Sequence, residues 1–303
     1  MTDRLPGRPP PTRASEAPTP TVAVVGLGVM GGSIVKALAL RAPEARVYGI
    51  DPDDESAALA ARDRVTIVER LEDCALGGAT VVFAAPLDVT AALVGAAAAS
   101  WSGASLVTDV ASLKVPVLEA ARQAAAGGGV FVGAHPMCGS ERSGYAAARA
   151  DLYEGADVWL CPVHGDGAAD SEPRGDSPLD RARAFWRLLG ARPRTIAAAE
   201  HDRTMAWASH LPQLLASALA LSLDVAGVAR RDLGPGGRDM TRLAGSGTEM
   251  WLPLLEAARD RNVRALRTLE EQVAQLRRVL QEGDMAALAR LMDRGSAWAS
   301  PTD

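Results

Sequence analysis

His135 is the residue of this chain best placed to do chemistry. It lies in Val130-Phe131-Val132-Gly133-Ala134-His135-Pro136-Met137-Cys138-Gly139-Ser140-Glu141, where a short β-branched and aromatic run delivers an imidazole onto a proline-stiffened, glycine-bounded turn. An imidazole titrates near neutrality, so at the rim of a sheet it can act as a general base. A histidine that merely caps a loop would show the same local pattern, and the rest of the chain decides between the two.

The second chemical signal lies upstream. Thr21-Val22-Ala23-Val24-Val25 reads as a buried strand that runs into Gly26-Leu27-Gly28-Val29-Met30-Gly31-Gly32-Ser33 and then an apolar helix to about Leu40. This is a G-x-G-x-x-G fingerprint between strand and helix, the context a dinucleotide site requires. Gly26 makes the tight turn, Gly28 admits a pyrophosphate to the backbone, and Gly31 lets helix pack closely on strand. The phosphates then rest on the unpaired N–H groups of the helix start, around Val29 and Met30. The next strand, Arg46-Val47-Tyr48-Gly49-Ile50, ends at Asp51, twenty residues beyond Gly31. A carboxylate there accepts the ribose hydroxyls and repels a 2′-phosphate, so NAD is favoured over NADP.

The elements that must hold these groups follow a regular alternation. Strands are expected at Val65–Val68, Ala79–Ala85, Ser105–Asp109, 129–132 and Asp157–Cys161, then a helix at Leu179–Leu189 and a strand at Pro193–Ile196. Strand alternating with helix predicts a doubly wound parallel sheet of the Rossmann type. Ala85 and Pro86 end one strand on the face where the dinucleotide should lie, and Asp109-Val110-Ala111-Ser112-Leu113-Lys114 ends the next. Ser112 and Lys114 thus fall near the same crevice, with Cys138 the cysteine expected to line it. The stretch from His164 to Pro178 is rich in Gly, Asp and Pro, carries no periodicity, and reads as a surface loop.

After Ala199 the strand signals stop. Glu200 to about Val228 reads as one long helix, kinked near Ala208 by Pro212. His210 and Gln213 share a face, while His201 sits nine residues before His210, half a turn out of phase in an ideal helix. Helix geometry alone therefore cannot aim all three at one small site, which leaves His201 a supporting or cofactor-side place at the helix start. A glycine-rich connection from Leu233 to Gly247 carries Arg238 and Arg242, of which Arg242 is the expected clamp for a substrate carboxylate. A surface salt bridge is the competing role for either arginine. Val263, Leu266, Leu269, Val273, Leu276 and Leu280 then form one apolar stripe, closed by Gly283, with Asp284 capping a last helix through Arg294. So large a stripe in a helical half suggests contact between subunits as well as core.

Composition narrows the partners. A net charge of −5 without a basic stripe argues against nucleic acid and anionic membranes, and no apolar run approaches the ~20 residues of a membrane span. The first twenty residues, rich in Pro, Arg and Thr, have no apolar core and read as a disordered tail ahead of a dinucleotide-binding domain over 21–198 and a helical domain over 199–303. Cys74, Cys138 and Cys161 have no metal-ligand spacing, so no metal site is expected, and the odd number fits the reducing cytoplasm.

Five linked motifs resemble the prephenate and arogenate dehydrogenase family of tyrosine biosynthesis: GLGVMGGS at 26–33, DVASLK at 109–114, GAHPMCGSE at 133–141, EHDRTMAWASHLPQ at 200–213 and RDMTRLAGSGTEMW at 238–251. The resemblance implies a dinucleotide domain followed by an all-helical dimerisation domain, a homodimer, and an NAD-dependent oxidative decarboxylation that yields an aromatic ring. It makes His135 the catalytic partner of the ring hydroxyl and Ser112 a hydroxyl that helps orient it. It further implies that Arg242 holds a carboxylate while His201, His210, Glu141 and Trp251 shape or gate the pocket. Many prephenate-using members carry a histidine where this chain has Gln213, which leans the reading toward arogenate. An amino-substituted prephenate of a specialised pathway is an alternative substrate. A β-hydroxyacid dehydrogenase would share the glycine turn but needs a lysine in the helical half, and no lysine follows Lys114. A non-catalytic dinucleotide sensor would have no need of His135, Ser112 and Arg242 together.

Overall fold

The computed structural model describes residues 20–96, 99–101, 103–124, 130–140, 142–163 and 176–300. The expected N-terminal tail (but for residue 20), most of the loop expected from His164, and Glu141 lie outside the described residues.

Eight strands form one sheet: β1 Thr21–Val25, β2 Arg46–Ile50, β3 Thr66–Ile67, β4 Thr80–Phe83, β5 Leu106–Asp109, β6 Phe131–Pro136, β7 Asp157–Pro162 and β8 Arg192–Thr195, in the spatial order β3-β2-β1-β4-β5-β6-β7-β8. Helices α1 Val29–Arg41, α2 Asp54–Arg62, α3 Leu87–Ala96, α4 Val115–Ala124 and α5 Pro178–Leu188 connect or cover them. The central strands β1 and β4 are apolar after their first residue because both of their faces are buried. Val22 and Val24 of β1 and Val82 of β4 point into one core with Ile34, Leu38 and Trp186. Ala23, Val25, Val81 and Phe83 point into the other with Trp101, Leu118 and Phe131.

Two features depart from the sequence-based expectation. β7 runs antiparallel to β6, so the sheet is mostly and not wholly parallel. A parallel return needs a crossover of a dozen or more residues, usually a helix, and between Pro136 and Asp157 the described chain holds only the one-turn helix Tyr145–Ala147. The antiparallel partner also lengthens β6: His135 pairs with Trp159 and Pro136 with Val158. His135 therefore stands in a strand and not on a turn. The ladder of β7 overrides the glycine and proline that suggested an end at Val132.

The helical half comprises α6 Ala198–Met205, α7 Leu211–Val225, α8 Pro235–Thr241, α9 Thr248–Ala257, α10 Arg259–Glu282 and α11 Met285–Ala299. The connection at 233–247 is thus less irregular than its glycines suggest, holding α8 and the one-turn helix Arg242–Gly245. Between α6 and α7, where the sequence suggests a kink near Ala208, Ala206–His210 is a π-helical turn, and Leu211 N–H bonds back to Ala206 C=O. Pro212 has no N–H to continue the α ladder, and the wider turn absorbs one extra residue at that point. One residue is about 100° of rotation, so the turn moves His210 from the far side of His201 to about a quarter turn from it. Gly283 ends α10 in the left-handed conformation and Asp284 caps α11 through Ala287 N–H at 2.8 Å, as the sequence suggests, although α11 runs on to Ala299. Met205, Leu254 and Ala258 enter the core on the α3 and α4 side of the sheet and lock the helical half onto it. Among the described residues no helix is long and apolar enough to cross a membrane.

Candidate active site

The glycine turn after β1 is dictated by close approach. Gly26 has φ +98°, and a Cβ there would lie 2.6 Å from Ala84 O; one on Gly31 would lie 1.8 Å from Gly26 O. Neither position accepts a side chain. A Cβ on Gly28 meets nothing within 4 Å, so its missing side chain leaves space at the start of α1, where first-turn N–H groups have no helical partner. Asp51, at the end of β2, braces the turn: Oδ2 accepts Leu27 N–H at 2.5 Å and Oδ1 accepts Asp53 N–H at 2.8 Å. A carboxylate has about four acceptor positions, so two remain for hydroxyl donors.

From this turn a cavity of about 530 Å³ runs along the ends of β4, β5 and β6. Its wall brings together Gly28, Val29, Met30, Ala85, Pro86, Ser112 and His135, and it includes Cys138. The volume lies within the range of small-molecule sites. Sequence reasoning missed Arg142, beyond β6, and Glu249, Met250 and Leu254 of α9, which close the far side. Only a three-dimensional fold reports that α9 returns to the sheet.

Behind the wall His135 is tied to a buried polar chain. Its Nδ1 is 2.9 Å from His201 Nε2, and His201 Nδ1 is 2.8 Å from Asp202 Oδ1. The two rings meet nearly edge to face, 5.1 Å between centroids. Asp202 also accepts Lys114 N–H at 2.8 Å and Val115 N–H at 3.0 Å, which fixes the start of α6 against the start of α4. His201 is fully buried and does not line the cavity. Burial opposes ionisation of Asp202, but the hydrogen bonds from His201 and the two backbone N–H groups hold its carboxyl below the usual range. Burial, and after it the charge of nearby Lys114, pushes His135 well below the ordinary imidazole value. Such a shift favours the neutral ring at pH 7.

Beside this chain lies a buried ion pair absent from the sequence reading. Lys114 Nζ donates to Asp109 Oδ2 and, at 2.5 Å, to Ala134 O, while Asp109 Oδ1 accepts Ala134 N–H at 2.9 Å. Both side chains are fully buried. The pair staples the end of β5 to the residue preceding His135. That Lys114 is one of only two lysines was the available signal.

His210, Gln213 and Trp251 do not line the cavity, nor does Arg242; they belong to an adjoining cluster. His210 Nδ1 lies 3.0 Å from Asn262 Oδ1 and its ring meets Trp251 edge to face at 6.0 Å. Burial lowers its pKa. Gln213 Nε2 donates to Leu243 O at 2.9 Å, next to the exposed Arg242, while Gln213 Oε1 and Trp251 Nε1 are buried without a partner.

A nucleotide-type glycine turn, a neutral imidazole and a hydroxyl around one cavity, on this sheet, define a dehydrogenase of the dinucleotide-binding α/β class. Residues 34–193 match the family model of the prephenate dehydrogenase nucleotide-binding domain and 197–294 that of the prephenate dehydrogenase dimerization domain. A prephenate dehydrogenase of Bacillus subtilis is 29% identical over 279 residues, 89% of this chain and 72% of the relative. A probable prephenate dehydrogenase of Streptomyces niveus is 30% identical over 266 residues, 86% of this chain and 69% of the relative. The crystal structure of Aquifex aeolicus prephenate dehydrogenase with hydroxyphenyl propionate and NAD+ superimposes with a TM-score of 0.80 at 24% identity, covering 93% of this chain and 98% of that one. The chain belongs to the prephenate dehydrogenase family.

Proposed function

We propose that this enzyme carries out NAD-dependent oxidative decarboxylation of a cyclohexadienyl substrate, prephenate or arogenate, with His135 as general base. The observation that carries this reading is that His135 and Ser112 line the same cavity, which starts at the glycine turn, with burial holding His135 below the ordinary imidazole value. His135 accepts the C4 hydroxyl proton, Ser112 orients that hydroxyl, and loss of the C1 carboxylate as CO2 leaves an aromatic ring. The glycine turn and Asp51 would hold NAD, which would supply the acceptor for the C4 hydride. Aromatisation supplies the driving force, so the protein has mainly to position its substrate and keep the imidazole neutral. Steady-state reduction of NAD and NADP with each substrate tests the proposal; no turnover with either would end it.

NAD is assigned over NADP because the two free acceptor positions of Asp51 suit hydroxyls and repel a phosphate. Asp51→Ser is expected to narrow the ratio of kcat/KM for NAD over NADP, and equal kcat/KM for the two cofactors in wild type would refute the assignment. Arg242 is assigned to a substrate carboxylate, and Glu141, His210 and Trp251 to the pocket's edge. Arg242→Ala should raise substrate KM about 10- to 100-fold, the equivalent of ~1.5–3 kcal/mol for a charge-assisted contact. An unchanged KM would turn attention to Arg238.

The substrate's side chain is assigned to Gln213, and arogenate is favoured. The Leu243 carbonyl takes the amide N–H and so leaves the buried Oε1 as an acceptor without a donor. The ammonium of arogenate can donate to it; the keto acid of prephenate offers only acceptors. Wild type is expected to show higher kcat/KM with arogenate, and Gln213→His to shift the ratio toward prephenate. A wild type that prefers prephenate, or a ratio unmoved by the substitution, would remove Gln213 from this role.

A homodimer through α10 and α11 accounts for the apolar stripe, of which Val273, Leu276 and Leu280, followed by Met285, Met292 and Trp298 on α11, stand exposed in the single chain. The three free cysteines suit the cytoplasm.

A further inference from the structure

We infer that Asp202 and His201 are positioning residues that hold the proton of His135 on Nδ1 and leave its Nε2 lone pair facing the cavity. This rests on the proposed role of His135 as base, which it deepens by specifying the tautomer and what sets it.

The argument follows donors and acceptors inward to outward. An ionised carboxylate only accepts hydrogen bonds. Asp202 already accepts from the backbone N–H groups of Lys114 and Val115, two immovable donors that fix where its oxygens point. The ring nitrogen of His201 that lies 2.8 Å from Oδ1 must therefore be the one that carries the hydrogen. With its proton on Nδ1, a neutral His201 presents a bare Nε2. That atom is 2.9 Å from His135 Nδ1, and two bare nitrogens facing each other would leave both buried acceptors unpaired. His135 Nδ1 thus donates. Its other nitrogen, on a ring that lines the cavity, is left with a lone pair, the form a base needs. Full burial of His201 and Asp202 keeps water from offering the His201 ring another partner. With the proton on Nε2 instead, His135 would present a donor to the substrate hydroxyl and could not accept its proton.

The sequence places Asp202 and His201 next to each other and His135 sixty-six residues earlier. Their juxtaposition comes from α6 docking beside β6 through the Asp202 bonds to α4. An Asp202 variant would also break that dock, so the kinetic test falls on His201.

Two measurements decide the matter. Long-range proton–nitrogen correlations on the intact enzyme with labelled histidine rings, with the His135 signals assigned by their loss in His135→Asn, report which ring nitrogen of His135 bears hydrogen. Nδ1–H is expected in wild type, whether or not prephenate or arogenate proves to be the substrate; Nε2–H would overturn the inference. His201→Leu removes the acceptor and is expected to lower kcat ~10²-fold with KM for substrate and NAD little changed. His201→Gln offers an amide oxygen to His135 and an amide N–H to Asp202 and should recover most of that loss. Equal losses in two folded variants, or a wild-type kcat in His201→Leu, would show that His201 only packs. If either variant fails to fold, the tautomer read in wild type still decides.

Discussion

His135→Asn is expected to lower kcat by ~10²–10⁴, the usual loss when a general base is removed, while the dissociation constant for NAD stays within a fewfold of wild type. Asparagine is close to histidine in size and can keep a polar contact with His201, so the buried chain loses little, and the glycine turn and Asp51 are untouched. The pH profile carries an independent sign. Burial and the nearby Lys114 ammonium hold the ring well below its ordinary value of 6.5, so kcat/KM of wild type should stay level as pH falls through 6.5 and decline only below it. A variant with near-normal kcat would move the centre of the reaction elsewhere in the cavity, and a wild-type decline beginning above pH 6.5 would contradict the neutral buried ring.

The second large effect is structural. Lys114→Met should cost about 3–5 kcal/mol, because deleting one member of a fully buried pair leaves the other charge in the core without compensation. Asp109 cannot turn outward, since its oxygens are also held by Ala111 and Ala134 N–H groups. Denaturant midpoints at fixed protein concentration measure the loss. Arg149→Met, which breaks the exposed pair with Asp151, is the contrast and should leave the midpoint where it is. If the two variants lose equal stability, the buried pair is not holding β5 to β6. Changing Asp109 to Leu along with Lys114→Met should restore only part of the loss, because two backbone N–H groups are then left unpaired.

What could be read from the sequence is what is local. The turn from Gly26 to Gly31 announces itself because Gly26 and Gly31 answer contacts within the same strand, turn and helix, or with the next strand over, and Gly28 leaves open space at the helix start. The apolar strands and the α10 stripe are visible because burial on two faces or one leaves a period. The antiparallel β7, the length of β6 and the contact of His201 with His135 are set between distant segments and leave no period. Pro212 announced an interruption, but proline specifies a missing N–H and not its remedy. The π turn changed which faces of His201 and His210 converge. Lys114 looked like a crevice residue by position, and only the folded chain shows that it is spent on Asp109.

The most direct test of the central claim is the stoichiometry of a complete reaction. With arogenate or prephenate limiting and NAD in excess, NADH, CO2 and aromatic product are counted in the same mixture. The account predicts one equivalent of each, with the three appearing together, because hydride loss at C4 and loss of the C1 carboxylate form one aromatising reaction. NADH accumulating without CO2 would mean a simple alcohol oxidation, and CO2 released without NADH a decarboxylation that His135 and the dinucleotide do not drive; either result contradicts the reaction assigned to this site.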